Sequence, residues 1–139
     1  MDREHKGFTL VEVLIVVLVI SMLAAFVAPR FFRGLGRTRR DIARSKMAII
    51  ESGLGLFYRD CGRYPDDSEG LDVLIYAPED AEDKWNGPYL KQSDLLDPWD
   101  NRYEYVEDGE INPGLFDLIS YGADGQEGGE GDDADIYNE

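Results

Sequence analysis

The sequence predicts an α+β protein. One long N-terminal helix, apolar enough to span a membrane, leads into a small head built on an antiparallel β-sheet. Three observations predict this. Residues 8–28, FTLVEVLIVVLVISMLAAFVA, carry a single charge, Glu12. Residues 41–59 place Ala43, Met47, Ile50, Leu54 and Phe57 at helical spacings of four, three, four and three,. Two short alternating segments, 102–106 (RYEYV) and 115–121 (LFDLISY), follow at strand periodicity with Asp108-Gly109 between them as a turn signal,. A sheet of about three strands packed on a helix buries both apolar faces.

The apolar run comes first. As a helix with ~1.5 Å rise per residue it reaches about 31 Å, the thickness of a bilayer core. Hiding such a run in a soluble protein would need a large core. The remaining chain is too short and too acidic to supply one. Glu12 needs a reason, because a carboxylate in hydrocarbon costs roughly 2.5–3.5 kcal/mol. Two readings stand: a residue near the membrane edge whose carboxylate reaches water, or one that meets a partner charge within the membrane. The seven residues before the run, MDREHKG, are polar.

The charge is distributed unevenly. The chain has 139 residues and a formal net charge of −15. Residues 1–40 hold seven Lys/Arg and three Asp/Glu, whereas residues 41–139 hold seven Lys/Arg and 26 Asp/Glu. Such a head repels phosphate backbones, which argues against nucleic-acid binding, and attracts cations or basic partners. Cys61 is the only cysteine. It cannot form an internal disulfide and reads as a small buried side chain or an intermolecular bridge.

After the apolar run, Pro29 is placed to kink the helix. Arg30, Arg33, Arg37, Arg39 and Arg40 then form a basic stretch over residues 29–40, with Gly34 and Gly36 as flexible points. It reads as a segment against anionic headgroups or as a contact for neighbouring acidic heads. By charge asymmetry alone, five arginines on this side favour the cytoplasm. The head is expected over residues 41–139. The amphipathic helix should end near Cys61-Gly62, before Tyr64-Pro65. Gly53 and Gly55 weaken it and permit close approach of another element. A further helix start is expected at Asp67-Ser68-Glu69-Gly70-Leu71, with Leu71, Leu74 and Ile75 as its apolar face. The stretches around Trp85 to Leu90 and Asp97 to Asp100 read as loops.

Near the C-terminus, Asp124, Asp132, Asp133 and Asp135 flank a glycine-rich loop. Calcium takes six to eight oxygens, commonly from carboxylates and backbone carbonyls. The glycines let such a loop curl until both ends meet one ion. It is not an EF-hand, since Gln126 and Gly128 occupy positions that should bear acidic or Asn ligands. Residues 128–136 mimic a GGxGxD calcium repeat only once, and those folds need several. A calcium loop and a flexible acidic tail both remain open on the residues alone.

Gly7-Phe8-Thr9-Leu10-Val11-Glu12, after a short charged leader and before an apolar run, resembles the processing site of type IV pilins and type II secretion pseudopilins. The head sharpens the resemblance. YP-x-x-x-EGL (Tyr64 to Leu71), W-x-GPYLK (Trp85 to Lys91), DPW (Asp97 to Trp99) and SYGADG with GGEGDDADI (Ser120 to Ile136) are similar to the major pseudopilins of bacterial type II secretion systems. Glu127 stands where proline is often expected, and DNRYEYVEDGE is more acidic than usual. The resemblance implies a type IV pilin-like fold and cleavage of residues 1–7 by a prepilin peptidase between Gly7 and Phe8. It implies methylation of Phe8 and retention of residues 8–28 as a transmembrane, filament-core helix in the inner membrane. No small-x-small site closes that run, so it does not read as a cleaved secretory signal. The head would be periplasmic; the processing motif is more specific than the arginine count and decides the orientation. Cleavage leaves an amine at Phe8 about one helical turn from Glu12. Glu12 of one copy would then pair with the Phe8 amine of its neighbour and set subunit register.

The implied function is a structural one. The subunit would polymerise as a homo-oligomeric helical filament, the periplasmic pseudopilus, with minor pseudopilins. It would act with an inner-membrane platform and an outer-membrane secretin to move folded exoproteins. Calcium is the implied cofactor, with Asp124, Asp132 and Asp133 as side-chain ligands by position, Asp135 as a further one and the Tyr121 carbonyl as a backbone ligand. An enzyme is disfavoured. The lone histidine, His5, lies in the leader, so the mature chain lacks His-assisted schemes, and no Walker phosphate loop is present,. The alternative is a type IV or competence pilin. Against it stand the missing C-terminal disulfide loop, the short head and the acidic surface.

Overall fold

The structure is a computed structural model. It describes residues 9–138, with the side chains of residues 27–38 outside that description. The chain divides into two units, Met1–Leu35 and Gly36–Glu139. Helix α1 (Leu10–Cys61) contributes to both. It is helical through Pro29, so the proline does not end it.

In the first unit, the start of α1 is capped by its own sequence. The Thr9 backbone N–H donates to Glu12 Oε2 at 3.3 Å, and the Glu12 backbone N–H donates to Thr9 Oγ1 at 3.3 Å. This reciprocal Thr-x-x-Glu arrangement satisfies two backbone donors that a helix start leaves free. The apolar side chains from Leu10 to Phe26 are all exposed, Leu10 at 85% and Phe26 at 76%. Among the described residues, no helix is long and apolar enough to cross a membrane. The described side chains of the apolar run stop at Phe26, about 25 Å of helix against about 30 Å of hydrocarbon. Gly7 and Phe8 lie outside the described residues.

In the second unit, the expected stripe is the core. Ala43, Met47, Ile50, Leu54 and Phe57 are 0–2% exposed. Each large side chain buried there contributes roughly 1.5–3 kcal/mol. Gly53 faces Leu90, whose Cγ and Cδ1 would lie 3.1 Å from an added Cβ, which is the close approach the glycine suggested. The helix stops at Cys61. Gly62 takes φ +81 and its N–H bonds to the Tyr58 carbonyl at 2.7 Å, an αL cap,. Cys61 is buried and free.

Strands β1 (Glu104–Val106), β2 (Asp117–Ser120) and β3 (Ile136–Tyr137) form an antiparallel sheet in the order β1-β2-β3. The register pairs Tyr105 with Leu118 and Ser120 with Ile136. Leu118 and Ile136 thereby reach the core alongside Phe57. The segment 115–121 is shorter as a strand than its alternation suggests, because Leu115 is exposed in the preceding loop.

Two local expectations need correction. Asp108-Gly109 is not a tight two-residue hairpin turn. Val106 pairs with Asp117, and the loop between them is organised by the Asp117 carboxylate, which accepts from Ile111 N, Asn112 N and Asn112 Nδ2 at 2.9–3.0 Å. The helix expected from Asp67 is only a 3-10 turn, Gly70–Leu74, burying Leu71, Val73 and Leu74. Asp66, not Asp67, organises its entry, its Oδ1 accepting from Ser68 N and Glu69 N at 2.8 and 2.9 Å. Arg63 clamps this region between Glu69 and Asp80.

Candidate functional site

The C-terminal loop between β2 and β3 is a tight structure, held from three sides. Its curvature comes from glycine. Gly122 takes φ +65 and Gly129 φ +81, and a Cβ on either would sit 2.6 Å from a backbone carbonyl oxygen, of Asp132 and Asp133 respectively. In the turn beyond β2, the Ala123 backbone N–H donates to the Asp132 carbonyl at 2.9 Å, which closes the loop on itself. Asp132 and Asp133 lie in the 3-10 turn Gly131–Asp133.

The first outside support is Asn101, whose Nδ2 donates to the Gly122 carbonyl at 2.8 Å. Asn101 is itself placed by Asp97, a 2% exposed carboxylate that accepts from Trp99 N and Asn101 N at 2.9 Å and from Ser120 Oγ at 2.6 Å. The DPW motif is thus the bracket that joins the 97–101 loop to β2 and to the C-terminal loop. The second support is Arg40 on α1. Its Nη1 donates to the Gly131 and Ala134 carbonyls at 3.0 and 2.9 Å, and its Nη2 to the Asp135 carbonyl at 3.4 Å. Arg40, read from the sequence as part of a basic stretch facing headgroups or neighbours, is instead bound to its own head. The third is Asn138, whose Oδ1 accepts from Leu118 N at 2.8 Å while its Nδ2 donates to Glu51 on α1 at 3.1 Å.

The expected cation ligands fall as follows. Asp124 is exposed, and its Oδ1 accepts from Gln126 N at 3.1 Å. Asp132 and Asp133 are exposed. Asp135 is half-buried; its Oδ2 accepts from Gly128 N at 2.9 Å and Tyr137 Oη at 3.4 Å, and its Oδ1 is buried without a partner. Among the described residues, no three His, Cys, Asp or Glu side chains converge as a metal site. The loop is nonetheless chemically suited to a hard cation. Its donors are carboxylate and carbonyl oxygens. A buried, unpaired carboxylate oxygen is costly, and a cation would satisfy it.

The acidic surroundings leave a mark on neighbouring phenols. Burial first, then the Glu104 carboxylate, push Tyr121 up to about 12. Burial and then the charge of Asp135 raise Tyr137. Asp117 moves the other way: burial pushes it up, but bonds from the Ile111 and Asn112 amides outweigh that and hold it below the usual carboxylate range,. Sequence reasoning did not find Asn101, Arg40, Asn138 or the roles of Asp97 and Asp117. The Thr9-x-x-Glu12 cap did have a readable signature.

Known proteins share this chain's sequence pattern and fold. A sequence profile described as type II secretion system (T2SS), protein G, matches residues 30–139. The chain belongs to the type II secretion system protein G family. A second profile, the prokaryotic N-terminal methylation motif, matches residues 2–28. The type II secretion system core protein G of Pseudomonas aeruginosa is 37% identical over 98% of this chain and 96% of its own length. That of Vibrio cholerae is 37% identical over 98% of this chain and 92% of its own. In structure, the chain is similar to the major pseudopilin from the type 2 secretion system of enterohaemorrhagic Escherichia coli. The TM-score is 0.60 with 26% identity, over 73% of this chain and 87% of that one. The α+β, pilin-like fold read from the sequence is therefore borne out, and so is the role of structural pseudopilin. The family is a structural one and not an enzyme family.

Proposed function

We propose that this chain is cut between Gly7 and Phe8, methylated at Phe8, and assembled into a periplasmic pseudopilus through its apolar helix. The exposed segment of α1 carries the reading. Side chains from Leu10 to Phe26 are about half exposed or more, and water is a poor solvent for them,. They need lipid before assembly and neighbouring helices after it. The N-terminal methylation motif over residues 2–28 supports the processing step. The mature subunit would be a single-pass inner-membrane protein with residues 41–139 in the periplasm. Its partners would be a prepilin peptidase, further copies of itself, minor pseudopilins, an inner-membrane platform and an outer-membrane secretin. The filament would push folded proteins through that secretin. Glu12 would then serve twice: it caps its own helix through Thr9, and it pairs with the Phe8 amine of an adjacent copy. Mass spectrometry of the mature chain tests the processing. An N-terminus at methylated Phe8 supports it, and any other N-terminus overturns it.

The C-terminal loop is proposed to hold calcium. Asp124, Asp132, Asp133 and Asp135 are the candidate carboxylates and Tyr121 a candidate carbonyl. Calcium would lower the mutual repulsion of these carboxylates. The protein's own residues hold the loop's ends together: the Ala123 to Asp132 bond closes it, and Asn101 fixes its entry. Thermal unfolding of the full chain in detergent, with calcium and then with chelator, tests this. A calcium-dependent rise in midpoint that is lost in Asp124→Ala is expected, and no rise in the wild type overturns the proposal.

A further inference from the structure

We infer that Arg40 is a positioning residue for the C-terminal loop: its guanidinium, on α1, sets the backbone of residues 131–135 in the shape that takes the cation. The inference rests on the calcium reading above and adds to it a residue outside the loop. Three observations carry it. First, among the described residues, the three bonds from Arg40 run to backbone carbonyls, of Gly131, Ala134 and Asp135, at 2.9–3.4 Å, and no carboxylate pairs with it within ion-pair distance. In so acidic a loop, a cation that only neutralised charge would sit on a carboxylate. This one reads backbone shape instead, as a planar fork of donors does. Second, the carbonyls it holds bracket Asp132 and Asp133 and include the residue that bears the unpaired Oδ1, Asp135. Third, the other side of the same turn is fixed by close backbone packing, with Gly122 and Gly129 against Asp132 and Asp133. The backbone of residues 131–135 is thus gripped from both sides, with Asp135 also held through its Oδ2 and the carboxylates of Asp132 and Asp133 exposed.

The consequence is a division of labour. The carboxylates supply attraction for the ion, and Arg40 supplies the geometry from which they reach it. Partners of this kind, which orient ligands without touching the metal, typically contribute 10–100-fold in metal affinity. The guanidinium also ties the loop to α1 near the start of the second unit, so a loaded loop would stiffen that part of the helix's contact with the head.

The experiment is calorimetric calcium titration of the full chain in detergent micelles. It compares wild type, Arg40→Gln, Arg40→Lys and Lys46→Gln, with amide hydrogen exchange of each in chelator. Lys46 also bonds from α1 to loop carbonyls, those of Ser93 and Leu96, away from the acidic loop. Arg40→Gln is expected to weaken calcium binding about 10–100-fold and to speed exchange at Ala123 and Asp133. Arg40→Lys should recover part of the affinity, and Lys46→Gln should leave it unchanged. If wild type binds calcium and Arg40→Gln binds it equally well, the role of Arg40 is overturned and the calcium site stands. If Lys46→Gln weakens binding as much as Arg40→Gln, the effect is general loosening and the role of Arg40 is again overturned. If wild type binds no calcium, the calcium reading falls and this inference falls with it. Should Arg40→Gln fail to fold, Arg40→Lys decides: an affinity equal to wild type overturns the positioning role.

Discussion

Replacing Gly122 by alanine tests whether the C-terminal loop is a built structure or an acidic tail. Gly122 has φ +65, a left-handed conformation that costs an L-residue about 1–2 kcal/mol,. The added Cβ would also lie 2.6 Å from the Asp132 carbonyl oxygen and 2.7 Å from the Asp133 carbonyl carbon. Those are backbone atoms, so the 3-10 turn must shift as a whole. Its shift breaks the bond from Ala123 N to the Asp132 carbonyl, a loss of about 0.5–1.5 kcal/mol,. Together the two costs come to about 1.5–3.5 kcal/mol. For a domain of this size each kcal/mol moves the midpoint by about 4–8 °C, so a fall of at least about 6 °C is expected. Gly128 is the internal control. It has φ +98 but nothing within 4 Å of a built Cβ, so Gly128→Ala should incur only the conformational cost. The assay is thermal unfolding of both variants by circular dichroism in detergent, in calcium and in chelator. Gly122→Ala should fall further than Gly128→Ala by about 0.5–1.5 kcal/mol and should lose most of any calcium-dependent rise. Equal midpoints for the two variants would refute the packing argument and leave the loop as a solvated tail.

Three other outcomes follow from the same geometry. Asp117 has a folded value below its ordinary 3.8, so its stabilisation is complete above that value and is lost as pH falls through the lower folded one,. Acid unfolding followed by tryptophan fluorescence should therefore lose part of its steepness below pH 3.8 in Asp117→Asn. Glu12→Gln keeps an oxygen for the Thr9 amide but removes the charge, whereas Glu12→Ala removes both. If pairing with the Phe8 amine drives assembly, both variants should fail to form filaments in cells, and assembly by Glu12→Gln would leave only the capping role. Gly55 is exposed on α1 with open space around it, so Gly55→Ala should raise stability by up to about 1 kcal/mol in chemical denaturation,.

What the sequence could and could not show follows from the range of each interaction. The stripe from Ala43 to Phe57 was legible because helical burial repeats every three or four residues, and all five positions are core. The sheet was legible in its first two strands, because RYEYV and LFDLISY alternate. The third strand was hidden: Ile136–Tyr137 is two residues long and follows a run of Gly and Asp. Its place depends on pairing with β2 and on Asn138, which bonds to Leu118 and Glu51, partners 20 and 87 positions away. No local pattern encodes a bond of that span. The same limit explains Arg40. In sequence it is one of five arginines between an apolar run and an acidic head, and membrane electrostatics accounts for such a stretch without it. Only the fold brings the loop to it across 91 to 95 positions. Asp135 shows the opposite case. Its residue type and spacing marked it as a candidate ligand, but its buried, unpaired oxygen is a property of packing. The composition of the loop says that a hard cation would be attracted there; the packing says which oxygen has most to gain from one.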